Sequence, residues 1–329
     1  MLNPEPTLLL VIASIITGFV TLIWSADRFV AGAAAIAHSL GIAPLVIGLT
    51  IVSFGTSAPE IMVSLSASMK GAGDLAVGNA LGSNVANIGL VLAATMLVAR
   101  IPVQKHILFH ELPILILVTL MAGLFLWDAS LSVTEGAILL VSLVPALYFL
   151  VKVKSRELSP QEIAEEESAV DGMPRGRAIL WFIIGLAVLM LSSEILVWGA
   201  KSAAVMAGVS PLIIGLTVIA VGTSLPELAA SVVSALRGHH DIALGNIIGS
   251  NMFNIMAVMS IAGLFSTSGM DTQVFSRDYM VMLGFTLFLA ACIAFSVWTR
   301  KHKARLGISA GIALLACYFA YYVLLFQSI

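Results

Sequence analysis

The sequence predicts an all-α integral membrane protein with ten transmembrane helices, arranged as two inverted repeats of five. Three observations lead there. Apolar residues fill 60% of the 329 positions and charged residues only 10%, with a mean hydropathy of +1.06, whereas a water-soluble globule carries about a quarter charged residues. Ten apolar stretches reach the roughly 18 residues needed to cross hydrocarbon. One six-residue word, Gly55-Thr56-Ser57-Ala58-Pro59-Glu60, returns 167 residues later as Gly222-Thr223-Ser224-Leu225-Pro226-Glu227.

The stretches run 8–34, 44–69, 75–99, 107–126, 131–151, 178–200, 211–236, 242–265, 279–299 and 306–326. The first continues apolar to Ala37 with Asp27 and Arg28 inside it, too long for a cleaved leader, and is taken as a helix. The 167-residue offset also joins Gly78-Asn79-Ala80-Leu81-Gly82-Ser83-Asn84-Val85-Ala86-Asn87 to Gly245-Asn246-Ile247-Ile248-Gly249-Ser250-Asn251-Met252-Phe253-Asn254. It pairs Pro44 with Pro211, Gly48 with Gly215 and Asp74 with Asp241 as well. A constant offset over such a span means duplication. The first repeat is placed at 1–151 with its signature at 44–98, a linker at 152–177, and the second repeat at 178–329 with its signature at 211–265.

Five helices per repeat is an odd number, so the second copy must enter the membrane from the side opposite to the first. Lys and Arg favour cytoplasmic loops. With the linker cytoplasmic, thirteen of the sixteen basic residues fall on that side, leaving Lys70, Lys201 and Arg277 outside. Both termini are then outside the cytoplasm, in a plasma membrane. The linker holds an acidic run (Glu162, Glu165, Glu166, Glu167, Asp171) that reads as a solvated tether, with regulatory ion binding as the lesser alternative.

Other classes find little support. Cys292 and Cys317 sit singly in apolar stretches without metal-ligand spacing. A net charge of −2 offers no basic face to nucleic acid. An intramembrane serine hydrolase built on Ser57 lacks a base, because His38, His106, His110, His239, His240 and His302 fall near helix ends or loops. No enzyme activity and no resident cofactor are expected; the lipid bilayer is the surrounding partner, and the chain is expected to function as a monomer.

The repeated words carry the chemistry. A carboxylate inside the membrane is costly and therefore a functional candidate; Glu60 and Glu227 are two. Each follows a proline, and Pro59 and Pro226 remove backbone hydrogen bonds and break their helices. Such breaks persist in lipid where the freed backbone lines a cavity, and paired broken helices in inverted repeats mark transporter ion sites. The carbonyls of Ser53 and Ala220 become candidate ligands. Ser57, Glu60 and Ser64 share a helical face, as do Ser224, Glu227 and Ser231; Ser83 and Asn87, and Ser250 and Asn254, stand four apart. An all-oxygen set suits a hard cation, and Ca²⁺ takes about six to eight oxygens. Two carboxylates would neutralise one Ca²⁺. Two readings stay open for Ser64 and Ser231, ion contact or bonding to their own helix backbone. Gly78, Gly82, Gly245 and Gly249 serve close helix packing as well as any part in the site. Asp27 and Glu194 read as interfacial charges.

These two words, present in both halves, resemble the alpha repeats of the sodium/calcium exchanger family within the cation/Ca²⁺ exchanger superfamily, and the likeness covers nearly the whole chain. It implies an ion site built from the second, third, seventh and eighth helices, with the long first and sixth helices sliding across them. It further implies Glu60 and Glu227 as shared Ca²⁺ and Na⁺ ligands. Thr56, Ser57, Ser83, Thr223, Ser224 and Ser250, with the carbonyls of Ser53 and Ala220, would complete Na⁺ sites, and Asn87 and Asn254 would bind ion or water. Some prokaryotic exchangers place an Asp where this chain has Asn254, and the K⁺-dependent branch carries an acid in that region, so two amides here disfavour K⁺ coupling. Proton-coupled relatives carry Gly-Asn-x-x-Glu words in place of the hydroxyl-rich word. The function expected is Ca²⁺ export in exchange for Na⁺ by alternating access, with H⁺- or K⁺-coupled exchange as the alternative and a cation channel as a more distant one.

Overall fold

A computed structural model describes residues 7–157, 173–209, 218, 220–265, 270–300 and 304–327. The acidic run of the linker, and Pro211 and Gly215, lie outside the described residues.

The long apolar stretches become helices because lipid offers backbone groups no other partner. α1 spans Leu8–Leu40. A bent pair follows, α2 at Pro44–Thr56 and α3 at Ala58–Met69, which meet at 44°. Next come α4 at Gly73–Val98 and α5 at Ile107–Phe125, α6 at Val133–Glu157 and α7 at Arg175–Met206. The short α8 (Ala220–Thr223) leads into the twelve-residue α9 (Leu225–Leu236). α10 at His240–Phe265, α11 at Val274–Thr299 and α12 at Ile308–Gln327 complete the chain. Eight of these are long and apolar enough to span a bilayer, and the bent α2–α3 pair makes a ninth candidate. A two-residue antiparallel pairing, Ile101–Pro102 with Arg305–Leu306, is the one departure from helix and turn among the described residues.

Several expected ends move. α1 runs six residues past its expected end, to a stop where Gly41 adopts φ +62° and the Ile42 amide bonds the Ala37 carbonyl at 3.0 Å. That is a left-handed glycine cap. α7 runs past its expected end in the same way, with Gly208 at φ +76° and the Val209 amide on the Ala204 carbonyl at 3.0 Å. The expected linker shrinks, since α6 continues to Glu157 and α7 begins at Arg175. The duplication is visible in the backbone: Gly41 and Gly208, and Gly71 and Gly238, share positive φ at the same offset.

α1 and α7 lie antiparallel in close backbone contact. A Cβ on Gly18 would fall 2.9 Å from the Leu196 amide nitrogen, and one on Gly185 2.5 Å from that of Phe29; Gly32 meets Phe182 and Gly199 meets Ile15 in the same register. Small residues allow this approach in a medium where association rests on packing. The outer side of α1 shows Leu9, Ile16, Phe19 and Val20 exposed, the surface a lipid-facing helix presents. At 33 residues α1 is about 50 Å long, so it tilts or projects beyond roughly 30 Å of hydrocarbon.

Inside this pair, α2, α3, α4, α9 and α10 form the centre. The paired strands join the α4–α5 and α11–α12 connections at one end of the molecule. Gln104 donates to Asp241 at the start of α10 at that same end. The opposite end of α5 meets the α10–α11 connection, where the Met270 amide bonds the Ala129 carbonyl at 2.8 Å.

Candidate functional site

Both repeated words place a break where the sequence leads one to expect it. α2 ends at Thr56, Ser57 leaves helical geometry at φ −82° and ψ 4°, and α3 restarts at Ala58 with Pro59 in its first turn. α8 ends at Thr223, Ser224 takes φ −87° and ψ 5°, and α9 restarts with Pro226 in its first turn. Proline is tolerated there because first-turn amides have no intrahelical acceptor. Glu60 and Glu227 follow in those first turns, where the positive end of the helix dipole offsets part of the cost of burying a carboxylate.

The two acids meet in one interior. Glu60 is 0% and Glu227 1% exposed, and they lie close enough to repel one another. Ser57 donates across the repeats to Glu227 Oε1 at 3.2 Å. Among the described residues, both Glu60 oxygens and Glu227 Oε2 have no hydrogen-bond partner, and neither do the Ser224 hydroxyl or the amide atoms of Asn87 and Asn254. Buried groups of this kind are ordinarily satisfied, so a cluster of them marks a place for an ion or water.

Asn87 and Asn254 each open a π-helical turn, at Asn87–Leu92 and Asn254–Val258. Such turns insert a residue into the helix and gather at functional sites; here they recur at the repeat offset. Thr56, Ser83 and Ser250 are buried, and Thr223 is half-buried. Ser83 lies beside the Glu60 carboxylate. The Ser53 carbonyl accepts the Ser57 amide at 2.9 Å, which leaves it one lone pair for another partner. In the second repeat the Ser224 amide bonds Val221, one residue short of the α-helical partner Ala220, at 3.1 Å.

Other residues resolve differently from the shared-face picture. Ser57 sits in the break and turns toward Glu227, not into line with Glu60. Ser64 donates to the Ala76 carbonyl at 3.4 Å and accepts from Asn79 at 3.1 Å, and Ser231 accepts from Asn246 at 3.0 Å. Both serines bond neighbouring helices, a role neither of the two open readings had named. Gly245 and Gly249 pack against the backbone of α2, with Cβ positions 2.6 Å from the Leu45 and Leu49 carbonyls respectively. Asp27 pairs with Arg237 through its Nε at 2.6 Å, a third exposed at the edge of the molecule.

Asn79 and Asn246 stand in the repeated words yet received no role from the sequence. Asn79 Nδ2 donates to the Glu60 carbonyl at 3.2 Å, and Asn246 Nδ2 reaches the Glu227 carbonyl at 3.5 Å. Each braces the first turn after a break. Their recurrence at the 167-residue offset was the signal that could have found them.

A family model described as sodium/calcium exchanger protein matches residues 10–152 and 177–327. The putative antiporter CaxA of Alkalimonas amylolytica is 46% identical over 95% of this chain and 98% of its own. The inner membrane protein YrbG of Escherichia coli K12 is 40% identical over 92% of this chain and 93% of its own. A solved structure of the sodium-calcium exchanger NCX_Mj, soaked with Na⁺ and Sr²⁺, superposes with a TM-score of 0.81 at 30% identity, covering 96% of this chain and 99% of that one. With nearly its whole length matched and its two broken helices bringing two buried acids together, the chain belongs to the sodium/calcium exchanger family.

Proposed function

We propose that this antiporter exchanges Ca²⁺ for Na⁺ by alternating access about the Glu60–Glu227 site. The observation that carries the reading is the pairing of two fully buried carboxylates, one from each repeat, with three of their four oxygens lacking a hydrogen-bond partner among the described residues. Uncompensated charge at such depth is strongly unfavourable. The empty site therefore resists crossing the membrane, and a loaded one does not. Glu60 and Glu227 serve either ion. Thr56, Ser57, Ser83, Thr223, Ser224 and Ser250, with the carbonyls of Ser53 and Ala220, serve Na⁺, while Asn87 and Asn254 hold ion or water. One pair of carboxylates cannot hold a divalent ion together with a full set of monovalent ions, so the loads compete and exchange follows.

The architecture in this reading is ten spans in two inverted repeats, with α2–α3 and α8–α9 as broken spans. Antiparallel packing of α1 on α7 supports it, since those helices are equivalent under the duplication. So does the position of the α4–α5 and α10–α11 connections, equivalent in sequence and lying at opposite ends of α5. Arg100, Lys105, Arg237 and Arg305 gather at the end of the strand pairing, which we assign to the cytoplasm; the termini then lie outside it. Under an inward Na⁺ gradient the chain exports Ca²⁺ across a bacterial inner membrane, as a monomer.

The test is ⁴⁵Ca²⁺ flux in proteoliposomes under imposed Na⁺, K⁺ or H⁺ gradients. Flux that follows Na⁺ and vanishes in Glu60→Gln and Glu227→Gln supports the reading. Flux that ignores Na⁺, or survives both substitutions, overturns it.

A further inference from the structure

A hydroxyl presents its lone pairs to a cation only when its proton has another acceptor. Thr56 is 0% exposed, so that acceptor is a protein group. Three oxygens lie within 3.5 Å, Asn246 Oδ1 at 3.1 Å, the Ser53 carbonyl at 3.4 Å and Ser250 Oγ at 3.5 Å, and the Glu227 carboxylate is a further neighbour of the hydroxyl. The orientation of the Asn246 amide follows from its other contacts. Its nitrogen faces the Glu227 carbonyl at 3.5 Å and Ser231 Oγ at 3.0 Å, and a carbonyl only accepts. The amide oxygen therefore faces Thr56, and Thr56 donates.

We infer that Asn246 is a specificity-determining positioning residue for Na⁺: it takes the Thr56 proton, turns the Thr56 lone pairs toward the ion and keeps that proton off the Ser53 carbonyl. The inference rests on the proposed reading, in which Thr56 and the Ser53 carbonyl serve Na⁺. Asn246 is itself 0% exposed and touches both halves at once, Thr56 of the first repeat and the Glu227 turn of the second. When Asn246 is removed, the Thr56 proton turns to the Ser53 carbonyl or to the Glu227 carboxylate, so one loss degrades two Na⁺ oxygens. Ca²⁺, held chiefly by carboxylates, is affected far less. Asn79 repeats the two donor bonds, to the Glu60 carbonyl and to Ser64, so bracing of the broken helices is common to both repeats.

The experiment measures Na⁺-driven ⁴⁵Ca²⁺ flux, and Ca²⁺ self-exchange without Na⁺, in proteoliposomes of wild type, Asn246→Leu, Thr56→Val and the double variant. Each single variant is expected to raise the Na⁺ half-saturation about tenfold, the scale of one buried hydrogen bond, with Ca²⁺ self-exchange half-saturation within about twofold of wild type. The double variant is expected to shift the Na⁺ half-saturation by less than the sum of the two single shifts, since both single variants remove the Thr56–Asn246 bond. Equal weakening toward Na⁺ and Ca²⁺, or additive shifts in the double variant, overturns the inference. Asn246→Asp keeps an oxygen facing Thr56, so its Na⁺ half-saturation should be no weaker than wild type; a shift as large as that of Thr56→Val overturns the inference even where Asn246→Leu fails to fold. Wild-type flux indifferent to Na⁺ would instead sink the exchange reading, and this assignment with it.

Discussion

Glu60 and Glu227 occupy equivalent places in two copies of one word, yet their surroundings differ. Glu227 receives the Ser57 hydroxyl, while Glu60 has no hydrogen-bond partner among the described residues. Asn246 is buried and bonded to Thr56, and Asn79 is half-buried. Gly245 and Gly249 lie against the α2 backbone and are buried; Gly78 and Gly82 are half-buried. The difference teaches that duplication supplies the side chains and conformation distributes their partners. Under the proposed alternating access, two like halves expose one site to one side at a time only by taking unlike conformations, and the close α2–α10 contact would be the sealed side of that asymmetry.

The largest effect expected is from the acids. Glu60→Gln and Glu227→Gln should each reduce Na⁺-driven Ca²⁺ flux by at least about 100-fold, because each removes half the charge that compensates Ca²⁺ and returns little in its place. If the acids are equal partners, the two losses match. A variant of either retaining tenfold more flux than the other would show that the asymmetry of the structure is built into the chemistry, not merely into one conformation.

Next comes the α2–α10 contact. Gly245→Val would drive a Cβ to 2.6 Å from the Leu45 carbonyl and 3.0 Å from the Leu49 amide nitrogen. Backbone cannot yield there cheaply, and overpacking of this kind costs about 1–3 kcal/mol or more. A fall of several degrees in the thermal midpoint in detergent is the expected result. An unchanged midpoint would mean that α2 and α10 part more readily than their packing implies.

Most of this architecture was legible in the sequence because the signals were redundant. Apolar length marked the spans, and the offset that joined Glu60 to Glu227 also joined their prolines, so the breaks at Ser57 and Ser224 could be foreseen. What escaped was set by packing between helices. Ser64 and Ser231 carry no mark of the neighbouring helices they bond, and Asn79 and Asn246 looked like filler inside a glycine motif. The π-helical turns at Asn87 and Asn254 leave no spacing signature, because the turn re-aims a side chain without changing the residues. Helix ends were missed for a local reason: α1 passes its charged pair and stops only at Gly41, whose single signal is its left-handed conformation.

A smaller effect separates the two break serines. Ser57 donates to a carboxylate and the Ser224 hydroxyl has no partner among the described residues, and a hydrogen bond to a charged group contributes about 1.5–3 kcal/mol. In Na⁺- and Ca²⁺-free buffer Ser57→Ala should lower the thermal midpoint and Ser224→Ala should leave it nearly unchanged. With saturating Ca²⁺ the gap should narrow, because the ion takes over the neutralising of Glu227. Equal midpoints for the two variants in the ion-free protein would show that the Ser57–Glu227 bond does not stabilise this conformation.

The smallest effect is expected at the rim, where Asp27 pairs with Arg237 and each side chain is about a third exposed. Exposed pairs contribute about 0.2–1 kcal/mol and are screened by salt, so Arg237→Gln should shift the midpoint by no more than a degree or two. The equivalent residues of the other repeat are Glu194 and Lys70, and Lys70→Gln should shift it no further. Flux is the sharper measurement here, because Asp27 rides on the long α1 and Arg237 ends α9. If α1 slides as the family resemblance implies, a bond between these elements opposes that movement in the state that makes it. Arg237→Gln should therefore raise turnover at saturating ions modestly, within about threefold, while leaving half-saturation for either ion unchanged. A shift in half-saturation would place this pair in the ion site's electrostatics, and an unchanged turnover would leave it a surface contact of no mechanical consequence.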